Sequence, residues 1–235
     1  MKNKMMVDCE TLGVGESPVI LQIGAVIFDD NGIYGHFSVG IDTTNATEHG
    51  FTIEQSTLDW WKDQDPELRK QIFSGEELLP FALQKLVNFY QNYECNEIWS
   101  KGSLADIRWI NNALDHFEIE RPWKYYKEFC FRTLLKSFPK FDLPFEGVPH
   151  NALDDAIHQA KQFIEIKKIQ KGQGGMMDIQ KEREAFEKWH FNKYYVENTD
   201  KSIIYELFGS KPEYVSYEVQ HSWVAWQAAK ANSLE

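Results

Sequence analysis

The chain has 235 residues, of which 43% are hydrophobic and 14% aromatic, so it can bury a sizeable core and does not have the composition of a disordered protein. Its formal net charge of −11 argues against a protein that coats long stretches of nucleic acid, although clustered carboxylates that hold cations are compatible with it. The three cysteines, Cys9, Cys95 and Cys130, lie far apart without a CxxC motif, which argues against a disulfide framework or a zinc knuckle and favours a reducing cytoplasm.

The first 41 residues predict an antiparallel meander of three strands. We place these strands at residues 5–9, 19–28 and 34–41, and the turn sequence Asp29-Asp30-Asn31-Gly32 closes the second of them. The N-terminal residues lead directly into the first strand, so we expect no signal peptide. The longest apolar stretch, residues 19–28, is about half of the roughly 20 residues that a membrane helix needs, so we expect no membrane span.

The following segments alternate between helices and a further strand. Helical spacing of apolar residues predicts helices at residues 52–62, 66–73, 76–92, 104–117, 133–138 and 151–168, with a short strand at residues 97–100. Ala152, Ala156 and Ala160 form a stripe of small residues that would allow close packing of the last helix. Strands followed by alternating helices and strands predict an α/β fold with a mixed sheet and helices on its faces.

The glycine-rich run Gly172-Gln173-Gly174-Gly175 has the composition of a flexible linker. We therefore predict a main domain at residues 1–171, a linker at residues 172–177 and a small helical accessory domain at residues 178–235. Val219, Trp223 and Trp226 share one helical face in that accessory domain and would form a small core. This region resembles a short module found on phage and prophage early proteins.

Asp8 and Glu10 are the first candidate functional residues. Alternate residues of a strand share a face, so both carboxylates of the run Asp8-Cys9-Glu10 point the same way. Adjacent carboxylates repel one another unless a cation lies between them, and such hard oxygen ligands suit Mg2+ or Mn2+. The pair alone also fits a solvated strand end.

Three further candidates lie at the starts of two helices. Asp106 lies near the start of one helix, where an acidic residue also stabilises the helix dipole. His150 precedes the last long helix of the main domain and Asp155 follows in its first turn, and of the seven histidines only His150 has an aspartate five residues later. The same segment also fits a capping role, with Asn151 as the N-cap and Asp154 three residues on.

The order of these motifs resembles the DEDDh exonuclease superfamily, which includes ribonuclease T and the proofreading exonucleases. The resemblance covers about residues 4–170. The first motif is Val7-Asp8-Cys9-Glu10-Thr11-Leu12-Gly13 with Ile20-Leu21-Gln22-Ile23-Gly24-Ala25-Val26, the second is residues 99–106, and the third begins at His150 with an Ala-Leu-Asp-Asp-Ala core. Within the superfamily, the chain is most similar to small bacterial and phage exoribonuclease-like members.

The resemblance implies a ribonuclease-H-like, mixed five-stranded sheet flanked by helices, and it implies roles for the site residues. Two divalent cations, Mg2+ or Mn2+, would be held by four carboxylates: Asp8, Glu10, Asp106 and Asp155. His150 would be the general base. Asp154 competes with Asp155 as a ligand, and the spacing from His150 favours Asp155. Cys9 stands where an aliphatic residue is commoner.

The implied reaction is hydrolysis of single-stranded RNA or DNA from its 3′ end to nucleoside 5′-monophosphates, with RNA favoured by the subfamily resemblance. Leu12, Trp60 and Trp61 are candidate base contacts, since aromatic side chains stack single-stranded bases, although each also fits ordinary packing. Lys101, Lys124 and Lys127 are candidate phosphate contacts.

Other functions stay open at this point. A DNA-specific exonuclease, an adaptor that binds nucleic acid without catalysis on the same fold, and a hydrolase of small nucleotides all fit the residues. The resemblance also leaves a homodimer open. It implies a bacterial cytoplasmic protein, with a phage or prophage gene as one source.

Overall fold

The computed structural model describes residues 3–138, 143–170 and 179–194, together with 205, 219, 222, 223, 225 and 226. The chain divides into two compact units, Met1–Gly174 and Gly175–Glu235. The predicted linker at residues 172–177 lies outside the described residues, so the domain limits stay a prediction. Among the described residues, no helix combines the length and the apolar character that crossing a membrane requires.

The first unit is built on one five-stranded mixed sheet. The strands are β1 (Lys4–Thr11), β2 (Ile20–Phe28), β3 (Ile33–Gly40), β4 (Glu97–Ser100) and β5 (Glu128–Cys130). They are arranged in the order β3-β2-β1-β4-β5. β2 is antiparallel to both β1 and β3, whereas β4 is parallel to β1 and β5. The predicted fold class is confirmed.

Six α-helices accompany this sheet in the described part of the first unit. They are α1 (Gln55–Lys62), α2 (Pro66–Ile72), α3 (Leu79–Asn92), α4 (Asp106–His116), α5 (Phe131–Lys136) and α6 (Ala152–Gln170). The first predicted helix begins three residues late, because Thr52 pairs with Pro18 in an isolated β-bridge. The sequence did not locate β5, since three residues are too few for a strand periodicity to appear.

The two faces of the sheet bury different cores. Val7 and Cys9 of β1 point into the larger core, which includes residues of α3 and α4. Met6 of β1 points to the opposite face and packs in a second core with Phe163 of α6. Because side chains alternate along a strand, the residues that follow Met6 on its face are Asp8 and Glu10. The strand therefore presents both carboxylates on the α6 side of the sheet.

α6 lies unusually close to β2. A Cβ atom added at Gly24 would lie 2.1 Å from the carbonyl carbon of Ala152, so only glycine fits beneath this turn of the helix. The side chain of Gln22 accepts a 2.9 Å hydrogen bond from the N–H of Ala152 at the start of α6. Ala156 and Ala160, both fully buried, extend the contact. The predicted stripe of small residues thus packs as expected.

The second unit has its own small core. α7 (Ile179–Tyr194) contributes the fully buried Phe186, which packs with Val219 and Trp223. Tyr205 and Trp226 pack against this cluster. The predicted small core of Val219, Trp223 and Trp226 is therefore present, with Phe186 as its largest fully buried member.

Candidate active site

The first three carboxylates meet at one edge of the sheet. Asp8 and Glu10 lie near the end of β1, where Asp8 pairs with Gly24 and Glu10 with Gln22. Asp106 is the first residue of α4 and follows β4, which runs parallel to β1, so both strands end at the same edge. The Asp106 Oδ1 atom accepts a 3.2 Å hydrogen bond from the N–H of Cys9, between the two strand carboxylates.

The start of α6 adds a histidine and a fourth carboxylate. The N–H of His150 donates a 2.8 Å hydrogen bond to Oδ2 of Asp155. His150 has a φ of +63°, a left-handed conformation that is uncommon outside glycine. Glu10, His150 and Asp155 each offer one ligand atom, and these three atoms lie within 4.8 Å of one another. The structure thus brings the four predicted metal-binding carboxylates and the predicted base, His150, to one edge of the sheet.

The structure also separates the two adjacent aspartates. Oδ2 of Asp154 accepts a 2.8 Å hydrogen bond from the N–H of Val148, so this carboxylate is directed to the preceding loop. Oδ1 of Asn151 accepts hydrogen bonds from the N–H groups of Leu153 and Asp154 at 3.1 and 3.4 Å, as an N-cap does. Asp155 therefore joins the carboxylate cluster, which also contains Asp8, Glu10 and Asp106. Asp154 instead shapes the loop that carries His150.

Burial governs the titration of these carboxylates, with added mutual repulsion at Asp8 and Glu10. Burial, followed by the charges of Asp155 and Asp106, raises the pKa of Glu10 to about 8. Burial raises the pKa of Asp106 to about 6, against the opposing hydrogen bond from Cys9. Burial and the charges of its neighbours raise the pKa of Asp8 well above its ordinary value, although Gln159 opposes the shift. Burial also raises the pKa of Asp155.

These shifts have a chemical meaning. Four carboxylates cannot all ionise in one partly buried place without a positive charge to share. All four offer hard oxygen ligands, which suit Mg2+ or Mn2+ better than softer metals. The donor set therefore fits a divalent cation. Positive side chains are also near, since the charges of Lys101 and His158 lower the pKa of Asp155 and that of Arg132 lowers the pKa of Asp106.

Sequence reasoning missed several residues that support this group. Gln159, which is 1% exposed, donates a 2.8 Å hydrogen bond to Oδ1 of Asp8. It lies four residues after Asp155, on the same face of α6, and that spacing was a usable signal. Gln22 and Gly24 alternate along β2 as Asp8 and Glu10 do along β1, but their role depends on where α6 crosses the sheet.

The predicted base contacts differ in their surroundings. Trp61 is 1% exposed and its Nε1 donates a 2.9 Å hydrogen bond to the carbonyl oxygen of Thr11, so it has no open face for a base and the stacking prediction is wrong for it. Leu12 is 5% exposed and belongs to the larger core. Trp60 is 40% exposed, and its ring meets that of His150 with centroids 4.9 Å apart.

The three lysines predicted to contact phosphate lie at different ends of the sheet. Lys101 follows β4 directly, at the edge that carries the carboxylates. Lys124 and Lys127 precede β5. Because β5 is parallel to β1, its start lies toward the other end of the sheet. Of the three lysines, only Lys101 is placed to approach a substrate at the carboxylate cluster.

Comparison with family models gives two matches. The model of the Rv2179c-like domain, described as a 3′-5′ exoribonuclease domain, matches residues 3–167. The model of a phage PhiTE protein family matches residues 182–235. Among curated proteins, an exodeoxyribonuclease of Enterobacteria phage T4 is 24% identical over 217 residues, which cover 77% of this chain and 94% of that protein.

Solved structures share the fold at low sequence identity. Exonuclease I of E. coli, solved in complex with a 5cy-dA13 oligonucleotide, matches with a TM-score of 0.53 and 11% identity over 72% of this chain. The match covers only 41% of exonuclease I, so the chain corresponds to less than half of that protein. Pop2p of S. pombe, in its Mg2+ and Mn2+ bound form, matches with a TM-score of 0.51 and 16% identity over 74% of this chain and 85% of Pop2p.

Proposed function

The chain belongs to the Rv2179c-like 3′-5′ exoribonuclease domain family and is a 3′–5′ exonuclease, and we propose that it hydrolyses single-stranded RNA to nucleoside 5′-monophosphates with two divalent cations. The observation that carries this proposal is the meeting of ligand atoms of Glu10, His150 and Asp155 within 4.8 Å, beside the half-buried Asp8 and the buried Asp106. An adaptor that had lost catalysis would have no need to maintain such a costly group of charges.

The four carboxylates would hold the metal ions, and each comes from a rigid element or its start: Asp8, Glu10, Asp106 and Asp155. When bound, two Mg2+ or Mn2+ ions would polarise the phosphodiester and stabilise the charge on the leaving oxygen. The Mg2+ and Mn2+ bound form of Pop2p, a protein of the same fold, supports this choice of ion. Bound cations would stabilise the ionised carboxylates and so lower the raised pKa values of Glu10 and Asp106.

His150 would act as the general base. A water oxygen attacks the phosphorus of the last phosphodiester and its proton passes to a ring nitrogen of His150, while the bond from phosphorus to the 3′-oxygen breaks and that oxygen takes a proton from solvent. The products are a nucleoside 5′-monophosphate and a strand with a new 3′-hydroxyl. The short distance from His150 to the carboxylate oxygens of Glu10 and Asp155 supports this role, because the water must lie beside the metal ligands.

DNA is the second candidate substrate. The matched family is described by its exoribonuclease activity, which favours RNA. The phage T4 relative is an exodeoxyribonuclease and nearly its whole length aligns with this chain, which favours DNA. That relative and the phage family matched at residues 182–235 also support a phage or prophage origin. A homodimer stays a prediction that sedimentation would test.

The proposed function is tested with matched single-stranded RNA and DNA oligonucleotides labelled at the 5′ end. We expect a ladder that shortens from the 3′ end in Mg2+ or Mn2+, faster on RNA, and no shortening in the presence of a chelator. Asp155→Asn should reduce the rate by at least about 100-fold, because it removes one ligand charge. Asp154→Asn is the matched control, since its amide oxygen still accepts the N–H of Val148.

Three outcomes would contradict parts of the proposal. Equal loss in the Asp154 and Asp155 variants would remove Asp155 from the ligand set. Faster cleavage of DNA would reverse the substrate preference but leave the reaction class unchanged. Full activity in chelator would refute the requirement for divalent cations.

A further inference from the structure

Two exposed rings from distant parts of the chain meet at the rim of the site. Trp60 lies in α1 and His150 lies ninety residues later, just before α6. Their ring centroids are 4.9 Å apart and their planes stand at 86°, so the edge of one ring faces the other. Edge-to-face pairs at this distance are attractive. The contact therefore links α1 to the loop that carries the proposed base.

Trp60 is itself held by an anchored helix. The adjacent Trp61 is buried, packs against Trp60 with centroids 5.0 Å apart, and donates its indole N–H to the carbonyl oxygen of Thr11. Just before α1, Oε1 of Glu54 accepts hydrogen bonds from the N–H groups of Val14 and Gly15 at 2.9 and 2.8 Å. Because Thr11 follows Glu10 directly, α1 is fixed to the strand that carries the carboxylates.

His150, by contrast, has few restraints. Its backbone is held by the hydrogen bond from its N–H to Asp155 and adopts a left-handed φ. Within the described part of the chain, its ring nitrogens make no hydrogen bond, and Trp60 is its aromatic neighbour. A catalytic base is commonly oriented by a third group that hydrogen-bonds its far nitrogen. Here the ring of Trp60 contacts the imidazole instead.

We propose that Trp60 is a positioning residue, which holds the ring of His150 beside the carboxylate cluster by an edge-to-face contact. This inference rests on the proposed role of His150 in the reaction. It differs from the base-stacking interpretation of Trp60, in which the indole would touch the substrate directly. The two interpretations predict different kinetics, because a positioning residue acts on the chemical step whereas a stacking residue acts on substrate binding.

The test is steady-state kinetics on one short single-stranded oligonucleotide. We expect Trp60→Ala to lower kcat about three- to tenfold with little change in KM, since one aromatic contact is worth that much in rate. Trp60→Phe should restore most of kcat, because phenylalanine keeps a ring at this place. Tyr125→Ala is the matched control, since Tyr125 is 82% exposed and lies before β5, toward the other end of the sheet.

A double-mutant cycle with His150→Ala completes the test. If Trp60 acts through His150, adding Trp60→Ala to His150→Ala should lower kcat no further. A raised KM with unchanged kcat in Trp60→Ala, or a full additional loss in the double variant, would overturn the inference. Neither result would affect the proposed function, which fails separately if the wild-type chain shows no metal-dependent shortening from the 3′ end or if His150→Ala keeps wild-type activity.

Discussion

The buried carboxylates and the loop that carries His150 belong to one site but are held in opposite ways. Glu10 and Asp106 are 8% and 7% exposed, and each lies on a regular element packed into a core. His150 is exposed and lies outside α6, in a left-handed conformation. The difference indicates that the buried half of the site, which carries the carboxylates, depends on core packing, whereas its rim, which carries His150, depends on a few contacts. Changes beneath the sheet should therefore affect the whole site, and changes at the rim only its rate.

The largest effect is expected from Gly24→Ala. The added methyl group would lie 2.1 Å from the backbone of Ala152, so α6 must move away from β2 and carry Asp155 with it. Misplacement of about 1 Å can cost 100-fold in rate, and overpacking typically costs about 1–3 kcal/mol in stability. We expect at least about a 100-fold loss of kcat/KM together with a lower melting temperature.

Gly32→Ala is the control for this change. A Cβ atom at Gly32 would meet no atom within 4 Å, so its activity and melting temperature should match those of the wild type. If Gly24→Ala retained wild-type activity, the close packing of α6 on β2 would not be what positions the carboxylates.

Much of the buried half could be predicted from local sequence pattern. The alternation of Asp8 and Glu10 fixed their common face, and Asn151 was recognised as the N-cap of α6. The fold class followed from the order of elements and from the family resemblance. The shared face and the N-cap depend on neighbours within a few residues, which is why one sequence reveals them.

The remaining features depend on contacts between distant segments. Nothing local says that Gln22 meets the start of α6, or that the ring of Trp60 meets His150. Trp60 and Trp61 are adjacent in one helix, so only one of them can face the core, and the sequence did not show which. The structure buries Trp61 and leaves Trp60 at the rim.

A smaller effect is expected from Gln159→Leu, which acts on the buried half through a single hydrogen bond. The change removes the donor to Oδ1 of Asp8 and leaves that carboxylate less well oriented. Residues that hydrogen-bond a metal ligand typically contribute about 10–100-fold to metal affinity or activity. We expect a loss in this range, measured as kcat and as the Mg2+ concentration that gives half-maximal activity.

Gln162→Leu is the matched control on the same helix. Gln162 is also buried, and its Oε1, like that of Gln159, has no hydrogen-bond partner among the described residues. The bond to Asp8 belongs to Gln159 alone of these two, so an apolar replacement of Gln162 of similar size should be nearly neutral. Equal effects of the two substitutions would mean that packing of α6, rather than the hydrogen bond to Asp8, accounts for the loss.

The smallest effect is expected in the stability of the metal-free protein as the pH changes. The pKa of Glu10 is raised from 4.5 to about 8 and that of Asp106 from 3.8 to about 6 by burial, with added repulsion at Glu10. A raised pKa means that the folded state binds the proton more tightly than the unfolded state. The resulting stability is present in full below the ordinary pKa and is lost as the pH rises through the folded one.

The melting temperature of metal-free protein should therefore fall between pH 5 and pH 8, by roughly 5 °C if the linked free energy is about 2 kcal/mol. Saturating Mg2+ should reduce or reverse this fall, because the cation binds the ionised carboxylates of the folded state. Glu10→Gln does not titrate at this position and should show a shallower fall than the wild type. An identical fall in wild type and Glu10→Gln would show that ionisation of the buried Glu10 does not limit the stability of the metal-free protein.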